Sequence, residues 1–199
     1  MTIPWRWVFI ALILFSAWQY WHNRPLAVSP GTLVKEIPLQ SDIAKKVVYP
    51  HGGKYQLEAL ANFEIKARVL SKEIYQFDRG AELVPVDLAL GWGRMSDSAV
   101  IDKLSITQGG RFYRYRWEDA PPIPPNEIIS HSANMHLIPT SPAIEKKMKQ
   151  VRPGQIVHIT GQLVEARAPD GAVWRSSLTR DDSGNGACEL IRVESFDIR

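Results

Sequence analysis

The sequence predicts a mainly β protein with minor α content: a partly open β-barrel or two-layer mixed fold behind one N-terminal transmembrane helix. Three observations lead there. Apolar and polar residues alternate in short segments such as NFEIKARVL and RFYRYRW, with the period of two that belongs to a half-buried strand. Only two short helical patterns interrupt these segments, SDSAVIDKLSI and TSPAIEKKMK. The chain also opens with an apolar run flanked by tryptophans.

That opening run covers residues 7–21 and is broken only by Ser16 and Gln19. As a helix it spans roughly 22 Å, or roughly 28 Å if counted from residue 3 with Arg6 reaching back to the interface, against a hydrocarbon core of ~30 Å. Trp5, Trp7, Trp18 and Trp21 flank it with Tyr20, as interfacial aromatic belts do. The rival reading, a cleaved signal peptide, lacks a small-x-small site, because Ala27-Val28-Ser29 runs into Pro30. Residues 1–24 therefore read as a membrane anchor, 25–50 as a stalk or linker, and 51–199 as a single extracytoplasmic β-rich domain. A short amino tail stays in the cytoplasm, so the expected setting is the bacterial cytoplasmic membrane, single-pass, with the C-terminal domain periplasmic or extracytoplasmic.

The chain carries 24 Lys+Arg against 21 Asp+Glu, a formal charge of +3. Arg6 and Arg24 belong to the opening segment, which has no acid, so the body is nearly neutral. A concentrated basic surface is missing, which argues against nucleic acid as a partner. The expected partners are the membrane, through the anchor, and an envelope protein, a peptide or a glycan. Cys188 is the single cysteine and has no intramolecular disulfide partner.

Taken in order, NFEIKARVL places Phe63, Ile65, Ala67 and Val69 on one strand face. SDSAVIDKLSI reads as a short helix with Ser96 as its cap. RFYRYRW puts Tyr113, Tyr115 and Trp117 on a core face, with Arg114 and Arg116 toward solvent. EDAPPIPPNE then breaks the chain as a rigid loop. EIISHSANMHLIP reads as a strand whose second face carries Ser130, Ser132, Asn134 and His136, a polar row that is either a wet face or the lining of a cleft. Ser141 caps and Pro142 opens the next helix, and QIVHITGQLVEA, AVWRSSLT and ACELIRV follow as strands, the first two joined by a PDG turn.

The chemistry-bearing residues form no complete motif. His131 and His136 lie five apart and point to opposite faces of a regular strand, while His51 and His158 lack partners at ligand spacing, so no metal and no cofactor are expected. DDSGNG offers Asp181, Ser183 and Asn185 at the alternate positions of a calcium loop, but the twelfth position is Arg192, and a tight turn accounts for it. Cys188 reads either as a nucleophile or as a small core residue. The catalytic candidates are Cys188, His136, Arg175 and Arg180; the binding candidates are Ser130, Ser132, Asn134, Trp174 and Asp181.

With its apolar leader, a His before a GQIV strand and a late Cys, the chain loosely resembles the sortase transpeptidases. That resemblance implies a Cys188 nucleophile, His136 as its partner, and Arg175 or Arg180 in the place of the sortase arginine. PVDLALGWGRMSD, RFYRYRW, SANMHLIP and WRSSLTRDDSGNGACEL are similar to a group of uncharacterised single-pass bacterial proteins, which implies an envelope setting and no activity. The leading expectation is a membrane-anchored domain that binds a peptide, glycan or protein. The alternatives are a cysteine transpeptidase or hydrolase using Cys188 and His136, and a single-stranded nucleic-acid module built on RFYRYRW.

Overall fold

The computed structural model describes residues 4–179 and 188–199 and shows a mainly β fold with minor helix content. The chain runs α1 (Trp5–Asn23), β1 (Leu39–Asp42), β2 (Val48–His51), β3 (Tyr55–Ile74), β4 (Val86–Gly91), a 3-10 turn (Gly93–Ser96) and α2 (Ser98–Ile101). A hairpin of β5 (Ser105–Gly109) and β6 (Phe112–Arg116) follows, then α3 (Pro125–Ser130), β7 (Ser132–Pro139), α4 (Pro142–Gln150), β8 (Ile156–Arg167), β9 (Val173–Arg175) and β10 (Glu189–Ile198).

Among the described residues no helix is long and apolar enough to cross a membrane. This corrects the expected transmembrane anchor and, with it, the single-pass membrane localisation. The reason lies in α1 itself: its strongly apolar stretch is confined to residues 8–15, roughly 12 Å of helix against a ~30 Å core. Tryptophans, Arg6, Ser16, Gln19 and His22 occupy the rest of the segment.

Among the described residues eight strands form one sheet in the order β1-β3-β4-β7-β10-β8-β9, with β2 also on β3. The sheet is not a closed barrel, because β1 and β9 finish as edges. Its five central strands nonetheless return on themselves, since β3 pairs β4 through Arg68–Ile74 and β8 through Gln56–Arg68. A 20-residue strand manages both because its register shifts twice, between Ala59 and Ala61 and between Val69 and Ser71. Each irregularity bends the strand. All neighbours in this circuit are antiparallel except β7 and β10, which run parallel.

The alternation read from the sequence fills the interior. Phe63, Ile65, Ala67 and Val69 of β3 meet Leu88 and Leu90, Met135 and Leu137, Val157 and Ile159, and Ile191 and Val193. Met148 of α4 joins them; that helix begins as the sequence predicts, with the Ser141 hydroxyl accepting the Ile144 amide. Two satellite clusters sit on the other face. One gathers Leu57, Leu83, Val84, Ile138, Val164 and Leu190, and the other collects Leu70, Ala89, Met95 and Ile128 beneath Tyr113, Tyr115 and Trp117.

Residues expected as a stalk instead lie strapped to the domain. The Leu26 amide donates to the Pro153 carbonyl, Arg152 holds the Arg24 carbonyl through two N–H groups, and Ser98 Oγ donates to the Val28 carbonyl. Ser96 Oγ accepts the Leu33 and Val34 amides, and Val34 is fully buried. Ser96 is thus the strap's anchor, and Asp97, whose carboxylate accepts the Ala99 amide, is the cap of α2.

Candidate functional site

The strand expected over residues 127–139 begins only at Ser132, because Pro125–Ser130 coils into α3. Proline at the first helical position and the carbonyl of Pro124, which accepts the Glu127 amide, start that turn. Ser130 therefore leaves the polar row, and its hydroxyl turns to His131 and the Glu127 carbonyl. Ser132, Asn134 and His136 remain on one face of β7, and all three are buried. The row is neither a wet face nor an open cleft, because the β5–β6 hairpin folds over it. Tyr113 Oη approaches Ser132 Oγ at 3.4 Å, Gln108 Nε2 donates to Asn134 Oδ1 at 2.7 Å, and Asn134 Nδ2 donates to the Arg111 carbonyl at 3.1 Å.

The tip of that hairpin carries Arg111, which is the centre of the site. Gly110 and Arg111 connect the strands with φ of 59° and 69°. Two left-handed residues in a two-residue loop match the twist of a hairpin, but only glycine adopts that conformation without strain. Arg111 is held there from every side. Its Nε and Nη2 grip the two carboxylate oxygens of Asp78 at 3.1 and 2.8 Å, and its Nη1 reaches Asp87 Oδ1 at 3.1 Å and the Val84 carbonyl at 2.9 Å. Its backbone N–H donates to Tyr75 Oη at 3.0 Å, and its guanidinium lies 3.5 Å from the centre of the Tyr75 ring.

Asp87 and His136 are direct cross-strand neighbours on β4 and β7. Asp87 is fully buried, and His136 nearly so. His136 Nδ1 stands 2.9 Å from Asp87 Oδ1, off the line a ring N–H needs, which makes the pair an electrostatic contact rather than a directed hydrogen bond. Asp87 Oδ2 has no hydrogen-bond partner among the described residues. Burial first, and the Asp87 charge second, push the Tyr75 hydroxyl from its ordinary value of 10.0 up to about 12. Trp174 closes the group, its ring edge-on to His136 with centroids 4.8 Å apart.

Beside this network opens a recess of about 390 Å³. Leu83, Ala166 and Ala168 form its apolar floor, Trp174 is a wall, and Asp78 and Arg111 stand on its rim. Gly80 keeps the backbone close to this wall, and a Cβ there would crowd both Arg111 Nη2 and Trp174 Cζ3 at 3.3 Å. A larger hollow of about 760 Å³ lies along residues 102–105 and 116–120. Its lining mixes charged side chains, including Asp102, Glu118 and Asp119, with Leu104, Trp117 and Ala120, and it touches none of the buried polar groups.

Among the catalytic candidates, Arg175 is bound elsewhere than at His136. Arg175 is drawn to Glu165, Nη1 to Oε2 at 2.6 Å, an interaction that holds the Glu165 carboxyl below its ordinary range. Trp174, its neighbour on β9, is what meets His136. Cys188 lies half-buried just before β10, its carbonyl accepting the Ser177 amide, two residues ahead of Leu190, the β10 partner of His136. Arg180 and Asp181 lie outside the described residues, as does the DDSGNG turn. Among the described residues no three His, Cys, Asp or Glu side chains gather as metal ligands.

Sequence reasoning missed Asp87, Arg111, Tyr75 and Asp78. Two signals were present: a lone carboxylate inside the apolar run PVDLAL, and the Gly-Gly-Arg turn that brings a cation back over it. No family model, curated protein or solved structure matches the chain.

Proposed function

We propose that this chain is a binding domain whose recess beside Trp174 takes an apolar ring or side chain presented by a peptide or protein partner. The observation that carries the reading is the recess itself. A shallow apolar hollow, walled by an aromatic ring and fixed by a buried polar network, has the makeup of a ligand pocket, for which about 300–1,000 Å³ is usual.

Charge narrows the ligand. Arg111 is held by Asp78 and Asp87, Arg79 by Asp170, and Lys54 by Glu82, so the cations around the recess are already engaged. A phosphate would have to displace a carboxylate to bind there, which disfavours nucleic acid. A glycan needs many directed polar groups, whereas this floor is alanine and leucine. The position is also suggestive. The circuit β3-β4-β7-β10-β8, with α4 connecting β7 to β8, resembles the five-stranded Greek-key OB arrangement, in which the face of strands two and three and the loops 1–2 and 4–5, counted along the chain, hold ligands. Fold alone does not assign function, so the recess remains the support.

Calorimetric titration of the full chain with N-acetyl-phenylalanine amide, N-acetyl-leucine amide and diacetylchitobiose tests the reading. Saturable binding of an amide that Trp174→Ala abolishes is expected. Binding of none, or binding unaffected by Trp174→Ala, would remove the proposal.

A further inference from the structure

Among the described residues the recess lies against an open sheet edge. β9, among the described residues, is the last strand of the sheet path and pairs only β8. The hydrogen bonds on either side of the ladder set its parity: Ala168 donates to Ala172 and Ser176 donates to Val164, so Ala172, Trp174 and Ser176 turn their backbone groups toward β8. The N–H and C=O of Val173 and Arg175 consequently point away from β8. Among the described residues nothing pairs them. Side-chain alternation puts Trp174 on the opposite face from its two neighbours, and that is the face toward His136. Val173 is 52% exposed, so the hairpin arm projects into solvent.

We infer that the ligand is an extended peptide that adds a strand to β9 and seats one apolar side chain in the recess beside Trp174. The inference rests on the recess reading and goes beyond it by fixing the mode of binding. Main-chain bonds to Val173 and Arg175 supply the affinity, and the recess selects the side chain opposite Trp174. The charges around β9 balance, so the apolar side chain rather than a flanking charge selects the peptide. On the recess side Lys54, Arg79 and Arg111 face Asp78, Glu82, Asp87 and Asp170, and on the other face Arg167 and Arg175 share Glu165, five cations against five carboxylates among the described residues.

The probe is the capped heptapeptide Lys-Thr-Val-Phe-Val-Thr-Lys, titrated by fluorescence anisotropy into the full chain, with the central Phe also replaced by Leu or Ala. Two backbone N-methylated versions carry methyl groups on alternate amides. The Phe or Leu peptide is expected to bind at least tenfold more tightly than the Ala peptide. One N-methylated set is expected to lose binding at least tenfold while the other keeps it, because only alternate amides face β9. Val173→Pro, which removes an outward N–H and no bond to β8, is expected to weaken binding similarly with its melting temperature held within a few degrees. The methylated peptides need no variant protein, so a misfolded proline variant does not blunt the test. Equal binding of both N-methylated sets overturns strand addition while leaving the recess reading intact. Failure of every heptapeptide alongside binding of N-acetyl-phenylalanine amide has the same meaning, and failure of both ligand types removes both proposals.

Discussion

Replacing Arg111 isolates the cost of the network from the cost of its backbone. In Arg111→Ala the fully buried Asp87 loses a cation 3.1 Å away. Breaking a buried ion pair by removing one partner costs about 3–5 kcal/mol. The grip on half-exposed Asp78 adds less than about 1 kcal/mol, because solvent screens it. Arg111→Gly loses the same contacts but relieves a φ of 69°, and a left-handed non-glycine residue costs roughly 1–2 kcal/mol. Allowing for the greater freedom of glycine in the unfolded chain, the Gly variant should be more stable than the Ala variant by about 1 kcal/mol. At about 2–4 °C per kcal/mol for a chain of this size, Arg111→Ala melts on the order of 10 °C below the parent and Arg111→Gly about 3 °C above Arg111→Ala. Far-UV circular dichroism of the full chain during heating reads both. An Ala variant within about 1 °C of the parent would show that Arg111 is ornamental, and an Ala variant more stable than Gly would refute the strain at the hairpin tip.

Other expectations follow from the same geometry. Burial and the Asp87 charge push Tyr75 up to about 12 against an ordinary 10.0, so the stability it contributes is complete below about pH 10 and is lost as pH rises toward 12; in spectrophotometric titration Tyr75→Phe should remove one tyrosine from the delayed class, in which Tyr55, Tyr113 and Tyr115 remain. The Gly31 amide, and next the Ala99 amide, hold the Asp97 carboxyl below its ordinary range. The strap over residues 26–34 should accordingly stay protected in hydrogen exchange above the usual aspartate range and loosen only when pH falls through the lowered value, while Asp97→Ala loosens it at neutral pH. Gly161→Ala would drive a Cβ into the Arg192 carbonyl of β10, and a loss above about 3 kcal/mol, or failure to fold, is expected in a urea titration.

The repeating features of the fold were legible because they are local. The alternation at Phe63, Ile65, Ala67 and Val69 and the Ser141-Pro142 helix start need only short-range chemistry, and both are where the sequence puts them. Ser130 was misplaced because SH after EII continues a period of two on paper, while Pro125 commits the preceding turn to helix. The strap was taken for a stalk because its backbone bonds go to Ser96, Asp97 and Pro153, all more than 60 residues away. The site was partly visible. The polar row Ser132, Asn134 and His136 and the aromatic Trp174 were found, but Asp87 and Arg111 belong to it only through tertiary contacts across β4 and a hairpin tip. Arg175 is the instructive miss: one residue from Trp174, it lies on the other strand face, where Glu165 takes it.

The most direct test of the central claim is the ¹⁹F spectrum of the full chain labelled with 5-fluorotryptophan, titrated with the Phe heptapeptide. Trp174 stands in the recess and Trp117 in the larger charged hollow, so the two candidate sites report separately once Trp174→Phe and Trp117→Phe assign their signals. A saturable shift of the Trp174 resonance, with Trp117 unmoved, is the predicted result. A shift confined to Trp117, or no shift at either, would contradict a binding site beside Trp174.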